Sequence, residues 1–411
     1  TFMNTSFSTV LRVWGVAVTL FLFTGADWLR FRGPNGSGVS VDQGLPVRWS
    51  ETENIAWKVD LPGRGVSSPI IIGDRVVLTC CTGFRQDRLH VICFHAKTGE
   101  KLWERQLWAT GRTMTHPAIC TATPTAASDG KRIFAYFSTN DLVCFDLEGN
   151  LLWLRGLLNE YPNASNSLGL ASSPTVVGET LVVPIENDSQ SVTVGLAADT
   201  GTTRWKLDRP KLANWASPVV LGDQPGQLPQ VVLQSGSRLT VHEPASGREL
   251  GVYASGCASQ PSSVVGDGVL YVPSGGLTAL RFTPGSKEPD LLWQNNRLGA
   301  STATPLLYRG KVFTVNGSIL KAGDMETGKL LWQLRLKGSF SGSPIASDGR
   351  IYLFNESGLG QVIEIGDDRG RRLKGGELGE KILSSPSMAG GALYIRSDAH
   401  LWKISSTATG G

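Results

Sequence analysis

Apolar and polar positions along the chain fall into a short phrase that keeps returning. It runs from a small residue through Ser, Thr or Gln to Pro, then a few apolar residues, a Gly/Asp turn and a second apolar run. It reads SSPIIIGDRVVLTC at 67–80, ATPTAASDGKRIFAYF at 122–137, SSPTVVGETLVVPI at 172–185 and ASPVV at 216–220. It returns as SQPSSVVGDGVLYVPS at 259–274, ATPLLYRGKVFTV at 303–315, GSPIASDGRIYLF at 342–354 and SSPSMAGGALYIRS at 384–397. Two apolar runs about a tight turn predict a β-hairpin, and Pro is tolerated at a strand's first residue. A third run and a fourth carrying Trp follow, as in LHVICFHA, KTGE, KLWERQL over 89–107. The spacing Gly-x-x-x-Trp recurs at Gly99/Trp103, Gly149/Trp153, Gly201/Trp205 and Gly328/Trp332, and Trp293 follows the plan without the Gly. Strands apolar on both faces, such as LHVICFHA, are expected where each sheet is sandwiched between two others.

The anchors are Pro69, Pro124, Pro174, Pro218, Pro261, Pro305, Pro344 and Pro386, spaced 39–55 residues apart. Four strands per period of that length predict an all-β, eight-bladed β-propeller. Length alone would divide 411 residues into two or more domains, but stacked blades form one domain that grows by repetition. The last repeat stops after a third strand, HLWKISS (400–406), and the missing fourth stands at the front as NIAWKVDLPG (54–63). The ring is therefore expected to close by pairing the N-terminal strand with the last blade, which removes both free sheet edges. The predicted propeller spans 54–406, with an extension at 27–53 and a tail at 407–411. Two repeats degrade. The fourth (GRELGVY, 247–253) has Tyr253 near the Trp position, and the seventh (363–378) has no Trp.

Residues 1–26 depart from this pattern. Val13–Phe23 is an apolar run preceded by Arg12 and followed by Thr24-Gly25-Ala26, a small-x-small site. This reads as a secretory signal peptide, the alternative being an uncleaved N-terminal anchor. The expected location is the periplasm or cell envelope, with membrane contact only through an uncleaved N-terminal segment. A net charge of +4, without a Lys/Arg run interleaved with aromatics, argues against nucleic acid as a partner. The repeat register accounts for the cysteines without a disulfide framework. Cys93, and Cys144 with one gap, fall where other repeats carry Gly195, Val241, Ala279 and Ala322, a position that wants a small buried side chain. Cys120 and Cys257 precede anchors.

At these residues a resemblance enters. The plan SSPxxxGDxV…LxAxDxxTGxxxW resembles the quinoprotein (PQQ-dependent) alcohol dehydrogenase repeat. Residues 50–406 are similar to the PQQ-like propeller proteins of bacteria, which include outer-membrane assembly factors of the BamB type. The segment DWLRFRGPNGSGVS (27–40) resembles the opening of a group of exported PQQ-like proteins. Some members carry a disulfide between adjacent cysteines beside the quinone, which makes Cys80 and Cys81 candidates; two unpaired thiols are the plainer reading. A quinone site would also need Ca²⁺ held by carboxylate and amide oxygens and a Trp as a stacking floor. Glu186 and Asp188 are the nearest carboxylates, and Trp215 is the Trp placed to face the axis; a solvated acidic loop is the alternative for the pair.

The longest excursions, 80–88, 107–119, 157–169 and 186–191, are expected on one face of the ring, where long loops on a rigid scaffold bind. Their candidate residues are Arg85, Arg88, Arg112, His116, Tyr161, Glu186 and Asp188, with Trp215 beside them. No His pair has metal spacing and no Ser stands in a nucleophile elbow. The expectation is a non-catalytic scaffold that binds a protein or envelope polymer and needs no cofactor. The alternative is an alcohol or sugar dehydrogenase dependent on PQQ and Ca²⁺.

Overall fold

The computed structural model describes residues 27–164, 168–222 and 227–406. The apolar run at 13–23 and the tail at 407–411 lie outside the described residues. No helix among the described residues is long and apolar enough to cross a membrane.

Eight antiparallel sheets form the ring, each with four strands in meander order and one with a short fifth. Blade one shows the plan. Strand β1 (Ile55–Asp60) belongs elsewhere; the blade itself is β2 (Ile70–Ile72), β3 (Arg75–Thr82), β4 (Arg88–His95) and β5 (Lys101–Trp108), from the axis outward. Both β3 and β4 are buried over six consecutive residues, as strands packed between neighbouring blades must be. β1 pairs antiparallel with His400–Ser405 and supplies the outer strand of blade eight, so the ring closes through the N-terminal strand.

The outer indoles bind blade to blade. A Cβ on Gly149 would lie 2.7 Å from the Trp103 ring of the previous blade, and one on Gly201 2.7 Å from Trp153. Trp57 over Gly99, Trp205 over Gly247 and Trp293 over Gly328 repeat the contact. Each of these five indoles also donates its N–H to a carbonyl of the next blade, at 2.7–3.2 Å. The Gly is needed twice over. It leaves room for the ring, and its φ of +80° at Gly149 belongs to the left-handed region that side chains avoid. Cys93, Cys144, Gly195, Ala279 and Ala322 sit cross-strand from the Trp of their own blades, as the register required.

The structure revises three details of the repeat. In blade four Gly251, not Tyr253, takes the Trp register position opposite Val241, and Phe282 of blade five fills the space. In blade seven the missing indole is replaced from outside the repeats. Trp49, in the extension, lies over Gly360 and Gly376 and stacks on Phe354 at 5.5 Å. Pro124 and Pro261 are two residues out of register with the other anchors. Strand pairing aligns Ala127 and Val264 with Ile70, so Thr125 and Ser262 occupy the place of Ser68.

The extension at 27–53 crosses the axis. Trp28 bridges to Ile71 of blade one, the Leu29 carbonyl accepts from Ser128 N of blade two, and Val39 bridges to Ala346 of blade seven. Arg32, 2 % exposed, donates to the carbonyls of Pro305 and Pro344 at 2.8 and 3.1 Å and to those of Ser37 and Gly36. Burial lowers its pKa to about 9. Gly33 makes the tight turn possible: with φ +66°, a Cβ there would lie 2.3 Å from the Trp28 ring. The segment thus closes one end of the axial channel.

Candidate functional site

The hydroxyl at the start of each inner strand is the smallest unit of the site. Ser68, Thr125, Ser173, Ser217, Ser262, Thr304, Ser343 and Ser385 come one from each blade. The backbone N–H of each donates to the hydroxyl oxygen of the next, from Ser68 round to Ser385, through seven bonds of 2.8–3.1 Å. This explains the Ser/Thr of the repeat phrase: an N–H at the axis, with no strand beyond it, finds its acceptor on the neighbouring blade. The result is a ring of hydroxyls about the axis, each residue at least nine-tenths buried.

All eight hydroxyl residues line an axial cavity of about 450 Å³, within the range of ligand pockets. Phe31 of the crossing segment also lines it, from the end that the segment closes. At the other end stand His116, Ala118, Leu168, Trp215, Gln260, Thr302, Ser341 and Ser384, from loops that precede the inner strands. His116 donates its backbone N–H to the Leu168 carbonyl at 2.9 Å, and its Nδ1 accepts from Ala118 N. Trp215 is half-buried, fixed by Nε1–H donation to the Gly169 carbonyl at 2.9 Å and by its backbone N–H on Ser259.

Of the residues singled out in the sequence, only His116 and Trp215 reach this cavity. Arg85, Arg88 and Arg112 are exposed on the same face, and Arg88 lies over the Trp108 ring at 5.7 Å. Tyr161 does not face solvent. It packs among Phe134, Leu157 and Ala164 between blades two and three, and burial raises its pKa. Glu186 is no solvated loop residue. With its side chain 1 % exposed, it accepts from Arg209 Nε at 2.6 Å, Asn214 Nδ2 at 2.9 Å and Thr193 Oγ1 at 3.2 Å. Arg209 is equally buried and also donates to Thr240 Oγ1 and the Leu233 carbonyl. Asp188, two residues on, is exposed and shares none of this. Glu186 instead positions Asn214, whose Oδ1 lies 3.4 Å from Ala216 N, and so the turn that presents Trp215.

Cys80 and Cys81 are unpaired thiols. Adjacent residues of a regular strand point to opposite faces. Cys80 enters the core shared with blade eight, and Cys81 the core shared with blade two, beside Cys120. Burial pushes the Cys80 thiol up to about 11, although Arg396 approaches its sulfur. A hydrogen bond from Cys120 lowers that of Cys81.

The lining can be tested against a quinone cofactor. PQQ carries three carboxylates, and Ca²⁺ takes six to eight oxygens, usually including carboxylates. His116 is the one ionisable side chain lining the cavity, which offers no Arg or Lys to an anion and no Asp or Glu to a cation. Among the described residues no group of three or more His, Cys, Asp and Glu is placed to hold a metal. The lining does not fit PQQ with Ca²⁺.

The crossing segment and the hydroxyl ring were not legible as site components. The extension carries no repeat pattern, and the ring hydroxyls read as strand punctuation.

Comparison with known proteins agrees with this architecture. No curated protein matches the chain in sequence. Among solved structures, BamB from Moraxella catarrhalis aligns with TM-score 0.60 and 14 % identity, over 87 % of this chain and 98 % of that one. A europium-containing methanol dehydrogenase aligns with TM-score 0.67 and 11 % identity, over 90 % and 89 %. The quinohemoprotein alcohol dehydrogenase of Comamonas testosteroni aligns with TM-score 0.66 and 11 % identity, over 94 % and 81 %. At such identities the likeness is one of fold, which these proteins put to different uses. The sequence itself matches the family model described as outer membrane protein assembly factor BamB, over residues 33–184, 108–320 and 316–410. The chain therefore belongs to the BamB-type family of PQQ-like β-propellers.

Proposed function

We propose that this protein is a non-catalytic, exported propeller that binds a protein of the cell envelope through the loop face of blades one to three. One observation carries the reading: large apolar side chains stand in solvent on that face. Phe84 is fully exposed, Trp108 is 63 % exposed and Met114 53 %, with Leu168 nearby. Their loops are tied together by Ala109 N on the Asp87 carbonyl, Thr121 on Gln86 and His116 on Leu168. Exposed Arg85, Arg88 and Arg112 surround them. An apolar centre with a cationic rim is the composition of a protein-binding patch, and suits a partner with an acidic rim. Family membership supports the same reading.

The test places a photo-crosslinking residue at Phe84 and recovers adducts from intact cells. The triple variant Phe84→Ser, Trp108→Ser, Met114→Ser should lose a partner that the parent captures. Recovery of the same partner by the folded variant would overturn the proposal.

A PQQ- and Ca²⁺-dependent dehydrogenase is the second reading, favoured by the axial cavity and by the likeness to dehydrogenases in fold. The neutral lining speaks against it. Titration with PQQ and Ca²⁺, followed by quinone absorbance and dye reduction, separates the two: a saturable shift with substrate-dependent dye reduction would favour the dehydrogenase.

A further inference from the structure

We propose that the axial cavity is a binding site for a small neutral polyol, such as a cyclitol or a monosaccharide. The cavity mouth adjoins the apolar patch and shares Leu168 with it, but the inference does not rest on the protein-binding reading.

Seven of the eight hydroxyl oxygens spend one lone pair on a neighbour's backbone N–H. None of the eight donates its own proton to a protein acceptor among the described residues, and all of them line the cavity. Each hydroxyl therefore brings a free O–H and a remaining lone pair to the axis. A hydrocarbon occupant would strip these groups of water and offer them no partner, so the cavity selects against it.

The lining also selects against a charged one. With His116 at the mouth as its one ionisable side chain, the cavity has no fixed charge to pair with a buried ion. A polyol matches both demands, because its hydroxyls donate and accept and it carries no charge. Its C–H faces have partners as well, since Phe31 and Trp215 bring aromatic surface to the cavity, and Val66, Ile119 and Leu383 add apolar wall. The crossing segment makes this a blind pocket rather than a pore: Arg32 pins the segment to blades six and seven, and Phe31 is the residue next to it.

The experiment uses the full chain. Saturation-transfer NMR and calorimetric titration are run with myo-inositol, glucose, N-acetylglucosamine and trehalose. Inorganic phosphate and PQQ are the charged probes. At least one neutral probe should bind saturably with one site per chain, and both charged probes should fail to compete with it. Thr304→Val with Ser343→Ala should weaken that probe by about tenfold. That pair can also disturb the ring, so Ala171→Phe serves as the second variant. It narrows the cavity from a half-buried wall position without touching a ring hydroxyl, and it should abolish binding while leaving the thermal transition in place. Absence of saturable binding by all four neutral probes, tighter binding of phosphate or PQQ, or undiminished binding in folded Ala171→Phe would each overturn the proposal.

Discussion

The Arg32 guanidinium donates to the Pro305 carbonyl at 2.8 Å, joining two residues 273 positions apart across the axis of the ring. The carbonyls of Pro305 and Pro344 stand at the start of the inner strands of blades six and seven. Arg32→Ala should leave both buried and unpaired, lowering stability by about 3 kcal/mol in denaturant titration. Arg32→Lys should recover only part of this, because one ammonium cannot reproduce the fork of the guanidinium. A stability unchanged by Arg32→Ala would mean that the crossing segment is not held by this side chain.

Gly149→Val should damage the interface between blades one and two. The new Cβ would meet Trp103 at 2.7 Å in a backbone conformation that Val strongly disfavours. The expected loss is about 3 kcal/mol or more, read as a drop in the thermal midpoint. Gly130→Val is the control: it has a similar φ of +83° but nothing within 4 Å of its Cβ, so it should cost less.

Glu186→Gln should be strongly destabilising, by about 3–5 kcal/mol, because it leaves the Arg209 charge buried without its partner. Removing the pair together, as Glu186→Gln with Arg209→Met, should cost less than the single change. Addition of Ca²⁺ should leave the thermal midpoint of the parent protein unchanged. A Ca²⁺-dependent rise that Glu186→Gln removes would return this carboxylate to a metal site.

His242 ties stability to mild acid. Burial lowers its pKa, with Nδ1 on the Gly247 carbonyl and Nε2 beside Thr240 Oγ1, which also accepts from Arg209. A folded pKa below the unfolded value means that the unfolded chain takes up the proton first. The stabilisation is therefore present above the unfolded value of about 6.5 and is lost as pH falls from there through the folded pKa. The thermal midpoint should fall between about pH 7 and about pH 5, and less so in His242→Gln. Equal pH dependence of the two proteins would refute this.

The six cysteines should titrate as six thiols after denaturation without reductant, and should resist modification in the folded protein. Fewer thiols on denaturation, restored by reductant, would reveal a disulfide that the opposed directions of Cys80 and Cys81 do not allow.

The sequence carried the blades because each repeats the same apolar runs, turn and Trp, and repetition makes a weak local signal strong. It carried the closure for the same reason, since Trp57 at the front completes a pattern that the last repeat leaves open after its third strand, where Lys403 takes the place opposite the indole. The pattern misled where one element had been exchanged for another. Pro124 and Pro261 look like anchors but precede the register by two residues, and the hydroxyls of Thr125 and Ser262 show the true position. Trp49 and Phe282 stand in for missing outer indoles from places that no repeat alignment would search. The cavity was hidden for another reason. Its floor comes from a non-repeating segment, and the pairing of Glu186 with Arg209 joins residues that look like unrelated loop charges until the blade brings them together.

The strand that seals the ring has a consequence for the order of assembly. Residues 28–60 supply both the plug across the axis and the outer strand of blade eight, and their partners reach as far along the chain as Ser406. Trp28 has its first contacts on blade one, but Arg32 must wait for blades six and seven, and β1 for the end of blade eight. The earliest part of the described chain to be synthesised is thus the last to find its place. Until then the growing propeller keeps an open inner end and two bare edges, so a nascent chain needs guarding until residues 28–60 have found their late-made partners.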